Sequence, residues 1–343
     1  MKRYKKPADI KVGVIGYGPS FNMGKYHVEQ MQRVGMVPLA VADIDPARLV
    51  AAEKDFPGLS VYPSATALLK KSDADLLVIV TPHNSHAKLA IQCLQAGRHV
   101  IVEKPMAITT ADCDAMMAAA RKSGTMLSVH HNRHWDGCVI EALRQISTGM
   151  LGDLVRVTIN WSGYGRPGDW WRSSRSISGG MLYDWGVHLV EYALQVIDSR
   201  LTEVTGFARE GFWADKTHWK KDTNEDEAVA VARFANGVSL TMTVSSIDSN
   251  SKRGWVEFTG TKGSYLFDGE RWESFTHVKG NAVSTKGKNP PSPWGQFYDN
   301  VLAHLTKGEK LIITPQWSRR PIHLIDLACQ SARKGATLKA KYD

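Results

Sequence analysis

Over the first 130 or so residues, unbroken apolar runs alternate with helically spaced ones. Ile10–Ile15, Val37–Asp43, Asp75–Val80, His99–Val102 and Met126–His130 show little of the apolar–polar alternation of a strand with one wet face. Such runs, flanked by helical patterns, predict a parallel sheet covered on both faces, the doubly wound α/β arrangement. The first run ends in Gly16-Tyr17-Gly18 and the second closes on Asp43. Later runs lead into Thr81-Pro82-His83-Asn84-Ser85-His86, Glu103-Lys104-Pro105 and His131-Asn132-Arg133. In sheets of this kind ligands bind beyond the carboxyl ends of the strands, which groups Thr81, Lys104 and Asn132.

After about residue 133 the pattern changes. Leu154–Trp161, Glu227–Phe234, Val238–Ser245, Trp255–Thr259 and Ser264–Asp268 alternate, with turns such as Ala235-Asn236-Gly237 between them. They predict a largely antiparallel or mixed sheet packed against helices, an α+β domain. The expected division is a nucleotide-binding domain over 1–132 and a substrate and oligomerisation domain over 133–343. A terminal helix is expected from roughly Gln316 to Lys334, and Asn281–Pro293 is expected to be a mobile loop. Gly179–Ile197 is helical in spacing, which would put Asp184, His188 and Glu191 on one face. An ordinary surface ion pair and a functional pair are equally open there; Gly179 and Gly180 would let a ligand or another backbone approach.

Composition narrows the function classes. The 343 residues suit two domains, and the net charge is +9. Its basic residues are dispersed and no nucleic-acid motif accompanies them, so a solvated basic surface is expected rather than a nucleic-acid partner. No apolar run reaches the roughly 18 residues of a membrane span, and no signal segment follows Met1. Cys93, Cys113, Cys138 and Cys329 are scattered, as reduced thiols of a cytoplasmic protein would be. His130, His131, His134, Asp136 and His188 fit no metal-ligand spacing, so no metal is expected.

The strand–glycine turn–helix–strand–Asp43 order is that of a dinucleotide-binding βαβ unit. The expected third glycine is replaced by Phe21, and Gly24 follows three residues later. A plain strand-to-helix turn is the alternative. On the nucleotide reading Gly16, Tyr17, Gly18, Asn22 and Met23 form the phosphate loop, with Ile44 beside the nucleotide. Asp43 would accept from the adenosine ribose hydroxyls and repel a 2′-phosphate, favouring NAD while leaving NADP possible. In Gly168-Asp169-Trp170-Trp171-Arg172, Trp171 suits the C–H face of a sugar and Arg172 its hydroxyls or a carboxylate. Core or subunit contacts are the competing use of those tryptophans.

Together these features resemble the glucose–fructose oxidoreductase, inositol dehydrogenase and rhizopine-catabolism (Gfo/Idh/MocA) family. The resemblance is carried by Gly16-x-Gly18, Asp43, Thr81-Pro82 with His86, and Ala96-Gly97-Arg98-His99-Val100 running into Glu103-Lys104-Pro105. His131-Asn132-Arg133 and the series Gly179-Gly180-x-x-x-Asp184-x-Gly186-x-His188 complete it. It implies an N-terminal Rossmann domain and a C-terminal α/β domain whose open sheet mediates homodimers or homotetramers. It implies NAD(P) and a sugar, polyol or related secondary alcohol. It implies cofactor contacts from Thr81, Pro82, His86, Glu103, Lys104 and Asn132, and a catalytic Lys104 with Asp184 and His188 as partners.

Alcohol oxidation needs a proton acceptor beside the hydride acceptor. His188 is expected to be the general base, with Asp184 orienting it or binding a neighbouring hydroxyl. Lys104 would stabilise the developing alkoxide, or itself take the proton. Two other readings compete: a resident NAD relay that cleaves glycosides without net redox change, and a nucleotide-binding sensor without catalysis.

Overall fold

The computed structural model describes residues 3–341. The chain forms two compact units. One contains the chain up to His131 together with Gly295–Arg319; the other contains Asn132–Trp294 and the chain from Arg320 onward. A single boundary near residue 132 therefore omits a return of the chain to the first unit.

The first unit carries strands β1 (Lys11–Ile15), β2 (Val37–Ala42), β3 (Ser60–Tyr62), β4 (Leu76–Ile79), β5 (His99–Val102) and β6 (Leu127–Val129). They form one sheet in the order β3-β2-β1-β4-β5-β6, with every neighbouring pair parallel. This is the dinucleotide-binding order, with its switch point between β1 and β4. Every residue of β4 and β5 is buried, which is why those runs lack alternation. Helices α1 (Met23–Arg33), α2 (Pro46–Asp55), α3 (Ala65–Lys71), α4 (His86–Gln95) and α5 (Thr110–Ser123) connect the strands. Local chemistry sets their ends. Asp45 caps α2 through the Ala47 amide at 2.9 Å, with Pro46 at the first helical position. Thr109 caps α5, and Gly124 ends it at φ 65°.

In the second unit α6 (Gly137–Ser147), α7 (Arg175–Ser178) and α8 (Gly186–Leu194) accompany β7 (Leu154–Ser162), β8 (Leu201–Arg209), β9 (Glu227–Phe234), β10 (Ser239–Ser245), β11 (Val256–Gly260), β12 (Gly263–Phe267), β13 (Arg271–Val278), β14 (Asn281–Lys288) and β15 (Leu338–Lys339). The sheet order is β14-β13-β12-β11-β7-β10-β9-β8-β15, and only β7–β10 is parallel among the described pairs. The mixed sheet agrees with the sequence pattern, but Asn281–Pro293 does not form a loop throughout. Its first part is the edge strand β14, paired residue for residue with β13. The expected helix over Gly179–Ile197 is also shorter: a 3-10 turn at Met181–Tyr183 precedes α8, which begins only at Gly186.

Two helices complete the chain: α9 (Gln296–Lys307) lies in the first unit, and α10 (Pro315–Lys334) contains the division between units. Within the first unit α9 is tied to α1 through Arg33, which bonds Gly295 O at 2.7 Å and Asp299 at 2.9 Å.

Candidate active site

In the first unit the candidate residues collect where the parallel strands end. Gly16 follows β1 at φ 99°, and a Cβ there would lie 2.2 Å from the Val80 carbonyl oxygen. Only glycine fits this approach. A Cβ on Gly24 would meet Tyr17 at 2.8 Å and Gly16 O at 2.9 Å, so Gly24 supplies the close helix–strand packing expected of the missing third glycine. The extra residues are taken up by a 3-10 turn over Ser20–Asn22, with Phe21 and Asn22 left-handed at φ 61° and 49°. Met23 then opens α1.

Asp43 locks this loop. Its Oδ2 accepts from the Tyr17 amide at 2.6 Å and its Oδ1 from the Asp45 amide at 2.9 Å. Tyr17 contributes backbone rather than ring, because its hydroxyl is committed to Asp55 at 2.9 Å. Gly18 has no heavy atom within 4 Å of a would-be Cβ, and Ile44 is 89% exposed, so the loop presents an open cradle flanked by a bare apolar side chain. These features fit a dinucleotide: exposed backbone for a pyrophosphate, and an oriented carboxylate for ribose hydroxyls.

Beyond β4, the Thr81 and Ser85 hydroxyls share a bond at 2.6 Å. His86, expected among the cofactor contacts, is fully buried. Its ring nitrogens lie 2.8 Å from Thr81 O and 2.8 Å from Pro105 O, so it ties the Thr81-Pro82 segment to the Glu103-Lys104-Pro105 segment instead. Burial pushes the His86 pKa down against the pull of those carbonyls. The peptide between Lys104 and Pro105 is cis. Glu103 is largely enclosed, and its Oε2 accepts from the Lys104 amide at 3.0 Å. Burial raises its pKa, but the His130 and His27 rings outweigh that and hold the carboxyl well below its ordinary range.

In the second unit Asn132 opens a 3-10 turn that runs to Trp135. Trp171 and Arg172 lie on a 3-10 turn whose Arg172 carbonyl accepts from Asn224 Nδ2 at 2.7 Å. The Arg172 guanidinium pairs with Asp184 and lies 5.3 and 5.1 Å from the Trp170 and Trp171 ring centres. Asp184 precedes α8, so the shared helical face expected for Asp184, His188 and Glu191 is not formed as drawn. Glu191 accepts from His134 Nδ1 at 2.6 Å. His188 is buried in the first turn of α8, edge-on to Trp185 at 5.8 Å, and Trp185 stacks on Trp161 at 3.9 Å.

The double glycine has a different use from the one expected. Gly179 and Gly180 have φ of 93° and 122°, and a Cβ on Gly180 would lie 2.8 Å from Glu225 Oε2. That same oxygen accepts from the Met181 amide at 3.0 Å. Glu225 thus fixes the turn into Asp184 and was not singled out from the sequence. A cavity of about 600 Å³ in this unit is lined by Arg133, Asp136, Trp255 and Trp294, among others, and not by Trp171, Arg172, Asp184 or His188. Asp136 there accepts from Arg133 at 2.9 Å, Tyr192 at 2.5 Å and Trp294 at 2.6 Å.

Sequence reasoning also missed His27 and Tyr298. One signal was available: Gly24, His27, Val28 and Met31 share the buried face of α1, which puts an imidazole in the core.

The description "Oxidoreductase family, NAD-binding Rossmann fold" matches residues 10–131, and "GFO/IDH/MocA C-terminal domain" matches residues 139–266. The first unit thus holds an NAD-binding Rossmann domain. A 1-carboxy-3-chloro-3,4-dihydroxycyclohexa-1,5-diene dehydrogenase of Comamonas testosteroni is 30% identical over 258 residues, covering 74% of this chain and 63% of that protein. The scyllo-inositol 2-dehydrogenase (NADP(+)) IolW of Bacillus subtilis is 30% identical over 198 residues, covering 57% and 54%. The chain therefore spans between about half and two-thirds of these curated relatives. Among solved structures, the WlbA dehydrogenase of Bordetella pertussis in complex with NADH and UDP-GlcNAcA superposes with a TM-score of 0.79 at 23% identity, covering 97% of this chain and 99% of that one. At that identity the likeness concerns the fold.

Proposed function

Because the chain belongs to the Gfo/Idh/MocA oxidoreductase family, we propose that it is an NAD-dependent dehydrogenase acting on a secondary alcohol of a sugar, polyol or related ring compound. The observation that carries this reading is the gathering of Gly16, Asp43, Thr81 and Lys104 at the carboxyl ends of β1, β2, β4 and β5. Bound NAD supplies the hydride acceptor. Gly18 and the turn through Asn22 and Met23 would hold its pyrophosphate, Gly16 and Tyr17 would shape that loop with their amides bonded to Ala42 O and Asp43, and Asp43 would bind the adenosine ribose and disfavour a 2′-phosphate. Thr81, Pro82, Lys104 and Asn132 complete the cofactor contacts, while Glu103, expected among them, has its oxygens taken by His27, His130 and the Lys104 amide and supports Lys104 from behind.

His188 removes the hydroxyl proton, and Lys104 donates a hydrogen bond to the same oxygen as negative charge develops on it. Asp184, oriented by Arg172, binds a neighbouring hydroxyl. Trp171 offers an apolar face to the ring. Two relatives named for a dihydroxycyclohexadiene and an inositol support a six-membered ring carrying several hydroxyls. The protein acts in the cytoplasm as a homodimer or homotetramer through the open sheet of the second unit, without a nucleic-acid or membrane partner. No helix among the described residues is long and apolar enough to cross a membrane.

A panel of cyclitols, sugars and sugar acids, each offered with NAD and with NADP, tests the reading through absorbance of the reduced nicotinamide. Net NADH formation with at least one member supports it. Glycoside cleavage without NADH would favour the redox-relay chemistry instead, and tight NAD binding with neither outcome would favour a sensor.

A further inference from the structure

Four elements of the first unit converge on Glu103. His27 comes from α1, Glu103 from the end of β5, His130 from the end of β6 and Tyr298 from α9. His27 Nε2 lies 2.9 Å and His130 Nδ1 2.8 Å from the same oxygen, Glu103 Oε1. His27 Nδ1 lies 2.6 Å from the Tyr298 hydroxyl. One assignment of protons satisfies each of these contacts. Tyr298 O–H donates to His27 Nδ1, and His27 Nε2–H and His130 Nδ1–H both donate to Oε1. The Lys104 amide donates to Oε2.

The two imidazoles and the carboxylate also have the spacing of a metal-ligand set, with ligand atoms within 4.8 Å of one another. The 2.8 and 2.9 Å separations are those of charge-assisted hydrogen bonds, and two N–H donors satisfy the oxygen without an ion. A buried carboxylate is expensive even when paired, and apolar side chains of similar volume serve stability as well or better. What the network adds is a fixed backbone. Glu103 Oε2 holds the residue that follows it, and His86 holds the carbonyl of Pro105.

Resting on the assignment of Lys104 to proton handling, we propose that Tyr298, His27, His130 and Glu103 form a positioning network that sets the backbone of Lys104. None of the four touches the substrate. His27 donates as a neutral ring, since burial and the neighbouring His130 push its pKa down to about 4. The other titratable groups around it are Tyr26 on its own helix, Tyr298, Glu103, and, beyond the carboxylate, His86 and Lys104.

The test needs two readouts. The first requires no turnover: in histidine-labelled protein, His27 gives the signature of a neutral Nε2–H tautomer down to pH 5, and the Lys104 amide is protected from hydrogen exchange. His27→Leu and Glu103→Gln speed that exchange at least about tenfold, while His27→Gln, which keeps a donor, restores most of the protection. The second is kinetic, using an alcohol found in the substrate panel. Glu103→Gln and His27→Leu lower kcat roughly 30-fold with KM and NAD affinity within twofold, His27→Gln recovers part of the loss, and Tyr298→Phe lowers kcat only a few-fold. Unchanged Lys104 exchange in both variants would overturn the proposal, whether or not a substrate is known. So would equimolar zinc or iron in the purified protein that His27→Leu abolishes. Failure of the dehydrogenase assignment alone would leave the exchange and tautomer results standing.

Discussion

The turn at Gly16 and the turn at Gly179–Gly180 each lead into a helix carrying candidate chemistry, yet different things meet them. Gly16 is approached by a main-chain carbonyl, that of Val80. Gly180 is approached by a side chain, the carboxylate of Glu225. The contrast extends to their surroundings. In the first unit Asp43 and Glu103 grip backbone amides of Tyr17, Asp45 and Lys104. In the second, Glu225 grips the Met181 amide in the same way, but Asp184 is held by the side chain of Arg172, and Asp136 by those of Arg133, Tyr192 and Trp294. The Gly16 loop, fixed by a strand end and by Asp43 on two amides, has little room to adjust; the Arg172–Asp184 pair, a contact between side chains, can re-form around a different ligand.

The contrast can be broken by substitution, beginning with a large effect at His188, the proposed base. His188→Ala should lower kcat by about 10² to 10⁴ with NAD affinity retained, measured by steady-state kinetics and NAD titration. Retained turnover would remove the second unit from the chemistry. The two glycines come next. Gly16→Ala forces a Cβ against a carbonyl at positive φ and should cost about 3 kcal/mol or more. Gly180→Ala is also strained, by its own φ of 122°, but meets a side chain rather than the main chain and should cost somewhat less, about 2 kcal/mol or more, by denaturant unfolding. Equal costs would contradict the distinction.

Acid should expose the buried His27. Its folded pKa of about 4 lies below the ordinary 6.5, so between those values the unfolded chain binds more protons. Stability is complete above pH 6.5 and falls as the pH drops towards 4, by on the order of 3 kcal/mol for the full shift. Glu103, also depressed, adds to the loss at still lower pH. His27→Gln should flatten the decline between pH 6.5 and 4, as followed by unfolding free energy against pH. The smallest effect is expected at Arg172. Arg172→Ala leaves Asp184 without its guanidinium and should change KM and kcat by roughly tenfold in combination.

Much of the first unit was legible because its buried parallel strands announce themselves as unbroken apolar runs. His99–Val102 was delimited as it stands in β5, and Glu227–Phe234 in the second unit matched β9 through its alternation. The polar strand β14 was not legible: it is exposed along nearly all its length, and only pairing with β13 makes it a strand. The return of α9 to the first unit was equally hidden, since a helix pattern does not say which sheet it packs on. Site residues followed the same rule. Lys104 and Asp43 were marked by their place at strand ends, whereas Glu225 and Tyr298 act through contacts 44 and 271 residues away in sequence. The helix through Asp184 is shorter than its spacing predicts, because Gly179 and Gly180 adopt positive φ and a 3-10 turn precedes Gly186.

The most direct test is to replace Lys104 with methionine, which keeps the length of the side chain and removes its charge. NAD affinity should stay within a few-fold while formation of reduced nicotinamide from the best alcohol falls to background, a loss of about 10³ or more. Turnover near that of the unaltered protein would contradict the account.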